Sequence, residues 1–312
     1  LEVFDDGDGA DLYAGGSFTT AGGSPAANIA RWDGAAWSSL GSGVDGWVNA
    51  LEVFDDGGGP CLWAGGTFTT AGGFSAARVA CWDGTVWGAE VDVNYDQVLA
   101  LNCFVVGSGR ALYAAGYFTI AGGVFVSYIA SWDGAAWSEP GGGIGSSGVH
   151  ALEVFDDGTG SALFAGGWFG TAGGVSASDL ARWDGIAWSE VGGGVSKGVH
   201  SLETFDDGTG RALFVGGRFY SAGGAANRIA RWDGSSWQTL SGPQGNGLTG
   251  YNIKAIAGYS SDQQSLYVGG QDIYAAGGVP STRFGQWLSG GIFTDGFESG
   301  DTAAWSITVG LQ

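Results

Sequence analysis

Positive charge is scarce in this chain of 312 residues. Eleven Lys and Arg stand against 31 Asp and Glu, for a formal net charge of −20. Such a surface repels phosphate backbones and anionic lipid, so nucleic acid and membrane surfaces are not expected as partners. Histidine occurs only twice and proline five times. The three cysteines, an odd number, make no disulfide framework by themselves. Cys61 and Cys81 fall on neighbouring strands of one repeat, either bridged or free, with Cys103 left single. One uncharged stretch, 111–132, is long enough for a membrane span, but its glycines and its alignment with charged segments elsewhere favour a strand–loop–strand. No transmembrane segment is therefore expected. The sequence shows no signal-peptide pattern and starts at Leu1, so a mature or trimmed product is expected.

What the chain has in quantity is glycine and large aromatics: 64 Gly with fifteen Trp, ten Tyr and seventeen Phe. The glycines have no Gly-X-Y period, which excludes collagen, and the aromatics exclude ordinary disorder. This composition points to many short strands joined by tight turns.

The stretch "LYAGGSFTTAGGSPAANIARWDGAAW" returns fifty residues later as "LWAGGTFTTAGGFSAARVACWDGTVW". The first Trp of each unit is Trp32, Trp82, Trp132, Trp183, Trp232 and Trp287, giving six units with a period near fifty. Each unit holds four strand-sized pieces, in the fourth unit 149–155, 162–169, 179–183 and 187–191. "DDGTG" joins the first two, a longer loop with Ala-Gly-Gly joins the second and third, and Trp-Asp-Gly closes the last hairpin. Four antiparallel strands in each of six units predict an all-β, six-bladed β-propeller, with a solenoid as runner-up. The blades are expected at 1–47, 48–97, 98–147, 148–197, 198–250 and 251–294, followed by a tail or extra strand over 295–312.

The order Leu-Tyr-Ala-Gly-Gly, then Ala-Arg-Trp-Asp-Gly, then Trp resembles kelch-type repeats. The fuller phrase is more similar to the propeller repeats of fungal cortical polarity-marker proteins and related bacterial secreted proteins. The tail "DGFESGD…W" resembles a segment near the C-terminus of bacterial secreted proteins. The resemblance implies a propeller fold and a secreted or cell-surface setting, bacterial by its tail, and leaves activity open.

The invariant Trp pairs read as core. Glu2, Glu52, Glu153 and Glu203 recur in the first strand and Arg31, Arg182 and Arg231 in the third. Glu–Arg ion pairs reaching over glycine are therefore expected within the first, fourth and fifth units, since buried charges need partners. The acidic pairs Asp5–Asp6, Asp55–Asp56, Asp156–Asp157 and Asp206–Asp207, with Asp8, read first as turn chemistry and second as oxygen ligands for Ca²⁺. With the Trp-Asp-Gly aspartates they should crowd one face. The other face, nearly uncharged, should carry Phe74, Phe125, Tyr128 and Tyr220, with the non-recurring Trp47 and Trp168 as further candidates for a binding surface.

His150 and His200 hold equivalent positions, with Asn49, Leu99 and Lys254 as counterparts, and are expected at one channel mouth. A His pair can ligate a metal or serve as a base, but no nucleophile–His–Asp order, phosphate loop or zinc spacing accompanies it. A non-enzymatic structural or binding module follows, one that self-associates, filaments included, or binds another extracellular protein or a glycan. The alternatives are a calcium-dependent adhesin or lectin, and a secreted glycan-processing enzyme with its site near the histidines.

Overall fold

Each fifty-residue repeat closes one antiparallel sheet of four strands in the order first, second, third, fourth. The computed structural model describes residues 1–92, 96–107, 109–224 and 228–242. Beyond these it describes 245–246, 248–249, 252–259, 265–271, 275–276, 279–280, 284–288 and 292–294. The expected tail, 295–312, lies outside the described residues, as does Trp305. The chain is all-β, and among the described residues the one helical turn is Pro140–Gly142. No helix among the described residues is long and apolar enough to cross a membrane.

Six such sheets follow one another along the chain. Their first strands are Glu2–Asp5, Val48–Asp55, Val98–Val106, Val149–Asp156, Val199–Asp206 and Asn252–Tyr259. Their second strands are Ala10–Gly15, Pro60–Gly66, Gly109–Gly116, Ser161–Gly167, Arg211–Gly217 and Ser265–Gln271. Successive side chains of a strand point to opposite faces, and in sheets 2 to 5 both faces are covered. Leu62 and Ala64 of sheet 2 join Phe4, Tyr13 and Ile29 of sheet 1 in one core. Their neighbours Cys61 and Trp63 join Val98, Leu112 and Ala114 of sheet 3 in the next. The same sharing links sheets 3 and 4, 4 and 5, and 5 and 6. The second strands of sheets 2 to 5 are for this reason buried almost end to end, as in Pro60–Gly66, whereas in Ala10–Gly15 of sheet 1 only Tyr13 is buried.

The turns are settled locally. Asp5, Asp55, Asp156 and Asp206 each accept two backbone N–H bonds from glycines two and four residues on. This is the Asx chemistry by which Asp nucleates turns. Asp33, Asp83, Asp133, Asp184 and Asp233 cap the last hairpin in the same manner. These backbone donors hold all five carboxyls below their ordinary range. The Ala-Gly-Gly segment, expected to be a loop, is a miniature hairpin: Thr20–Ala21 pairs Ser24–Pro25 across Gly22 and Gly23, whose φ angles are +55° and +84°. Positive φ at both central residues is the tight I′ turn that suits twisted strands.

In sheets 1 to 5 the two hairpin turns lie at one end. There the Trp-Asp-Gly turn of one sheet rests on the acidic turn of the sheet before it: a Cβ on Gly134 would stand 2.5 Å from the Asp56 carbonyl oxygen. That close approach, as well as φ +96°, is why the position is glycine.

The expected Glu–Arg pairs do not form. In register, Glu2 lies opposite Tyr13 and Tyr13 opposite Arg31, and the rows Glu153–Phe164–Arg182 and Glu203–Phe214–Arg231 repeat this. A ring, not glycine, stands between the charges, which are about two strand spacings apart, roughly 9.5 Å. The arginines turn instead to the acidic turns. Arg31 pairs Asp6 and Asp11, Arg182 pairs Asp157 at 2.7 Å, and Arg231 pairs Asp207 at 3.3 Å.

The glutamates stitch sheet to sheet. Glu52 accepts the Cys103 N–H at 3.2 Å, Glu153 the Thr204 N–H at 3.2 Å, and Glu203 the Gly258 N–H at 3.0 Å. Each partner lies on the first strand of the next sheet. In sheet 2 the Arg position is Cys81, and Cys81 is bridged to Cys61 with Cα atoms 5.7 Å apart. Cys103 stays a free thiol, half-buried, with its pKa pushed up by burial and by Glu52.

Candidate functional site

Where the repeats agree they build sheets, so a site must come from positions where they differ. Two such positions matter. One follows the glycine doublet: Ser17, Thr67, Tyr117, Trp168, Arg218 and Gln271. The other interrupts the pairing of the first and second strands, where the register slips around Asn49, Leu99, His150, His200 and Lys254. Each slip is a β-bulge, a device that re-aims a side chain.

At the end opposite the acidic turns these two positions meet, one sheet against the next. Tyr117 of sheet 3 bonds through its hydroxyl to His150 Nε2 of sheet 4 at 2.9 Å. Trp168 of sheet 4 stands edge-on to His200 of sheet 5, ring centroids 6.1 Å apart. The two imidazoles share a hydrogen bond, Nδ1 to Nδ1, at 3.3 Å. Arg218 of sheet 5 lies 5.6 Å over the Trp168 ring. Glycine at 198 makes room for Trp168, which would collide with a Cβ there. A bond between two Nδ1 atoms needs one ring protonated there and the other not, so with both imidazoles neutral the two are of opposite tautomer. In either arrangement His200 Nε2 is buried with no partner.

Burial, then the Lys254 charge, depress His150 to about 4; the same causes with His150 and Arg218 depress His200 to about 3. Beyond Arg218 the cluster continues. Tyr220, 53 % exposed, has the Arg228 guanidinium 4.3 Å and the Lys197 ammonium 5.0 Å from its ring centre. Arg228 is buried and donates to the Arg218 carbonyl at 2.7 Å. Its hydrogen bond and charge, aided by Lys197, lower the Tyr220 phenol.

This end is therefore not neutral. Lys197, Arg218, Arg228 and Lys254, four of the eleven basic residues of the chain, gather around sheets 5 and 6. Two of the acids described there are tied to backbone: Asp45 to the Thr69 and Thr70 N–H groups, Asp179 to the Phe169 N–H.

Of the residues singled out in the sequence, His150, His200 and Trp168 come together, with Tyr220 next to them. Trp47, Phe74 and Phe125 are exposed, at 58 %, 66 % and 81 %. No contact joins them to the cluster among the described residues. Tyr128 is only partly exposed. It holds φ +64° and packs half-buried against the core between sheets 3 and 4. Tyr117, Arg218, Lys197 and Arg228 were missed. Tyr117 and Arg218 were legible as the changing letter in Gly-Gly-X; Lys197 and Arg228 carried no such signal.

At the acidic end a cleft of about 650 Å³ opens between sheets 1 and 2, lined by Asp5, Asp6, Asp56, Asp83 and the disulfide. Asp5 and Asp83 bond their own turns there, Asp6 binds Arg31 and the Tyr13 hydroxyl, and Asp157 and Asp207 bind arginines. Among the described residues no three Asp, Glu, His or Cys side chains converge to hold a metal ion. The acidic pairs thus act as turn caps and Arg partners, and nothing described there supports the calcium reading.

The histidines and the buried glutamates make opposed demands on pH. Burial raises Glu52 and Glu153 to about 7 from an ordinary 4.5. Their folded pKa exceeds the unfolded one, so ionisation costs stability as pH rises from about 4.5 through 7. The histidines, depressed below 6.5, favour the unfolded state as pH falls from 6.5 towards 4 and 3. Between pH 7 and 5 the two pairs nearly offset each other. The double variant Glu52→Gln/Glu153→Gln should lose stability on acidification over that range, and His150→Gln/His200→Gln should gain it. Each change is on the order of 1–2 kcal/mol per pair after solvent screening, read as urea midpoints at pH 5, 6 and 7. Parallel profiles for both variants and the parent would refute these assignments.

No protein-family model matches the chain, and no curated protein is similar to it in sequence.

Proposed function

We propose that this chain is a six-bladed β-propeller that serves as an extracellular binding module for glycans. Its ligand sits at the channel mouth over sheets 3 to 6. One observation carries the reading: the residues that differ between repeats gather into a contiguous aromatic, histidine and cationic cluster at one end. Six consecutive four-stranded sheets sharing cores with their neighbours support the propeller. The Cys61–Cys81 bridge supports an oxidising, extracellular setting. Binding is favoured over catalysis because the imidazoles bond each other and titrate far below neutrality, which suits them poorly as bases.

The test is binding to an array of immobilised oligosaccharides, with sedimentation of the same samples. Wild type should retain particular glycans, and Trp168→Ala and His200→Gln should weaken retention roughly tenfold or more, as expected for central aromatic and buried polar contacts. Asp8→Asn, at the opposite end, should not. Retention indifferent to Trp168 and His200 would sink the site. Large polymers without any glycan would replace the module by a self-assembling structural subunit.

A further inference from the structure

The binding reading leaves the chemistry of the ligand open, and the placement of positive charge narrows it. The chain carries a net charge of −20, and its Arg31, Arg182 and Arg231 are neutralised by aspartates at the acidic end. Lys197 and Lys254 are different. Both are exposed, both lie at the cluster end, and among the described residues neither forms an ion pair. Two uncompensated ammonium groups in so acidic a protein are a local reversal of the field. Lys197 and Arg228 both lie against the ring of the half-exposed Tyr220, and Arg218 lies over Trp168 beside the histidines. Arg228 is held there at φ +68°, a backbone state that a side chain other than Gly, Asn or Asp seldom adopts. An amphipathic ring beside fixed cations suits a ligand with an apolar ring face and an anionic substituent.

We propose, building on the glycan-binding reading, that the Lys197–Tyr220–Arg228 cluster takes the carboxylate of an acidic sugar unit, with the sugar ring against Tyr220. A sparsely charged ligand fits better than a polyphosphate or polysulfate, because the remaining surface repels dense negative charge. Arg228 is buried and oriented, so it supplies a fixed guanidinium. Lys197 is exposed and closes over the ligand as a mobile point charge.

The experiment is calorimetric titration of the full chain with trigalacturonate, with its neutral counterpart galactotriose and with a short polyglutamate, at 20 and 150 mM NaCl. Trigalacturonate should bind at least tenfold more tightly than galactotriose, and more weakly at the higher salt. Lys197→Gln and Arg228→Asn should each cost roughly tenfold for trigalacturonate and no more than about threefold for galactotriose, and equal losses for the two sugars would overturn the carboxylate contact. Asn accepts the positive φ at 228, and the exposed Lys197 variant guards against loss of fold. Equal binding of both sugars would overturn the anionic assignment while the glycan module stands. Tighter binding of polyglutamate would overturn the sugar. Absence of binding by either sugar, with a blank glycan array, would remove both readings.

Discussion

Gly167→Ala is expected to leave no folded protein, while Gly166→Ala, one residue earlier, folds. A Cβ on Gly167 would stand 2.3 Å from the Gly148 carbonyl oxygen. That carbonyl sits just before the bulge at His150 and accepts the Trp168 N–H at 3.1 Å, so it has no freedom to retreat. The contact recurs at 1.9 Å for Gly66 on Trp47, 2.1 Å for Gly116 on Gln97 and 2.2 Å for Gly217 on Gly198. Gly166 faces something softer, the Val199 side chain of the next sheet, with a Cβ 2.4 Å from its nearest methyl. Sheet 3 already carries alanine at the equivalent position, Ala115, fully buried near Val149. Gly166→Ala should cost about 1–3 kcal/mol as overpacking, and Gly167→Ala more than about 4 kcal/mol, a backbone collision that repacking cannot relieve. Soluble yield and urea midpoints of the two variants decide the matter. Equal losses would mean that both glycines serve side-chain packing alone.

Reduction of the Cys61–Cys81 bridge should destabilise the chain by about 3 kcal/mol, the chain-entropy value for a loop of this length, or roughly 5 °C in melting temperature. The bridge spans twenty residues and ties the second strand of sheet 2 to its third. Sheets 1, 4 and 5 make that tie with an arginine on the second aspartate of the acidic turn. Sheet 2 has Asp56 but Cys81 where the arginine would be, so the reduced protein loses its only tie of this kind among the described contacts. The variant Cys61→Ala/Cys81→Arg rebuilds the fourth-sheet arrangement, Ala162 with Arg182. It should recover about 0.5–1 kcal/mol over Cys61→Ala/Cys81→Ser, the range of a partly exposed ion pair. Melting with and without reductant tests the first statement, and an unchanged midpoint would show the bridge to be energetically idle.

Both predictions lean on repeat equivalence, and that much was readable from the letters. The four strands per unit, the Asp-capped turns and the six-fold period are decided within a few residues of each motif. An Asp two residues before a glycine makes its turn whatever the rest of the chain does, and alternating apolar residues commit a strand to its two faces. By itself, then, the sequence determined the all-β class, the sheets and their order. It also marked His150, His200 and Trp168 as positions where the repeats depart from one another.

Tertiary structure decided which groups met. Whether Arg31 reached Glu2 or Asp6 depended on a cross-strand row in which Tyr13 stands between the first two, and spacing along the chain does not reveal that row. The glutamates found their partners on the first strand of the next sheet, some fifty residues away. Tyr117 met His150, and Trp168 met His200, because each bulge turns its side chain towards the preceding sheet. Lys197 and Arg228 met Tyr220 from 23 residues before it and eight residues after it. Local chemistry acts over four or five residues and is written in the motif. Contacts between stacked repeats depend on how two finished sheets face each other, and only the folded molecule sets that.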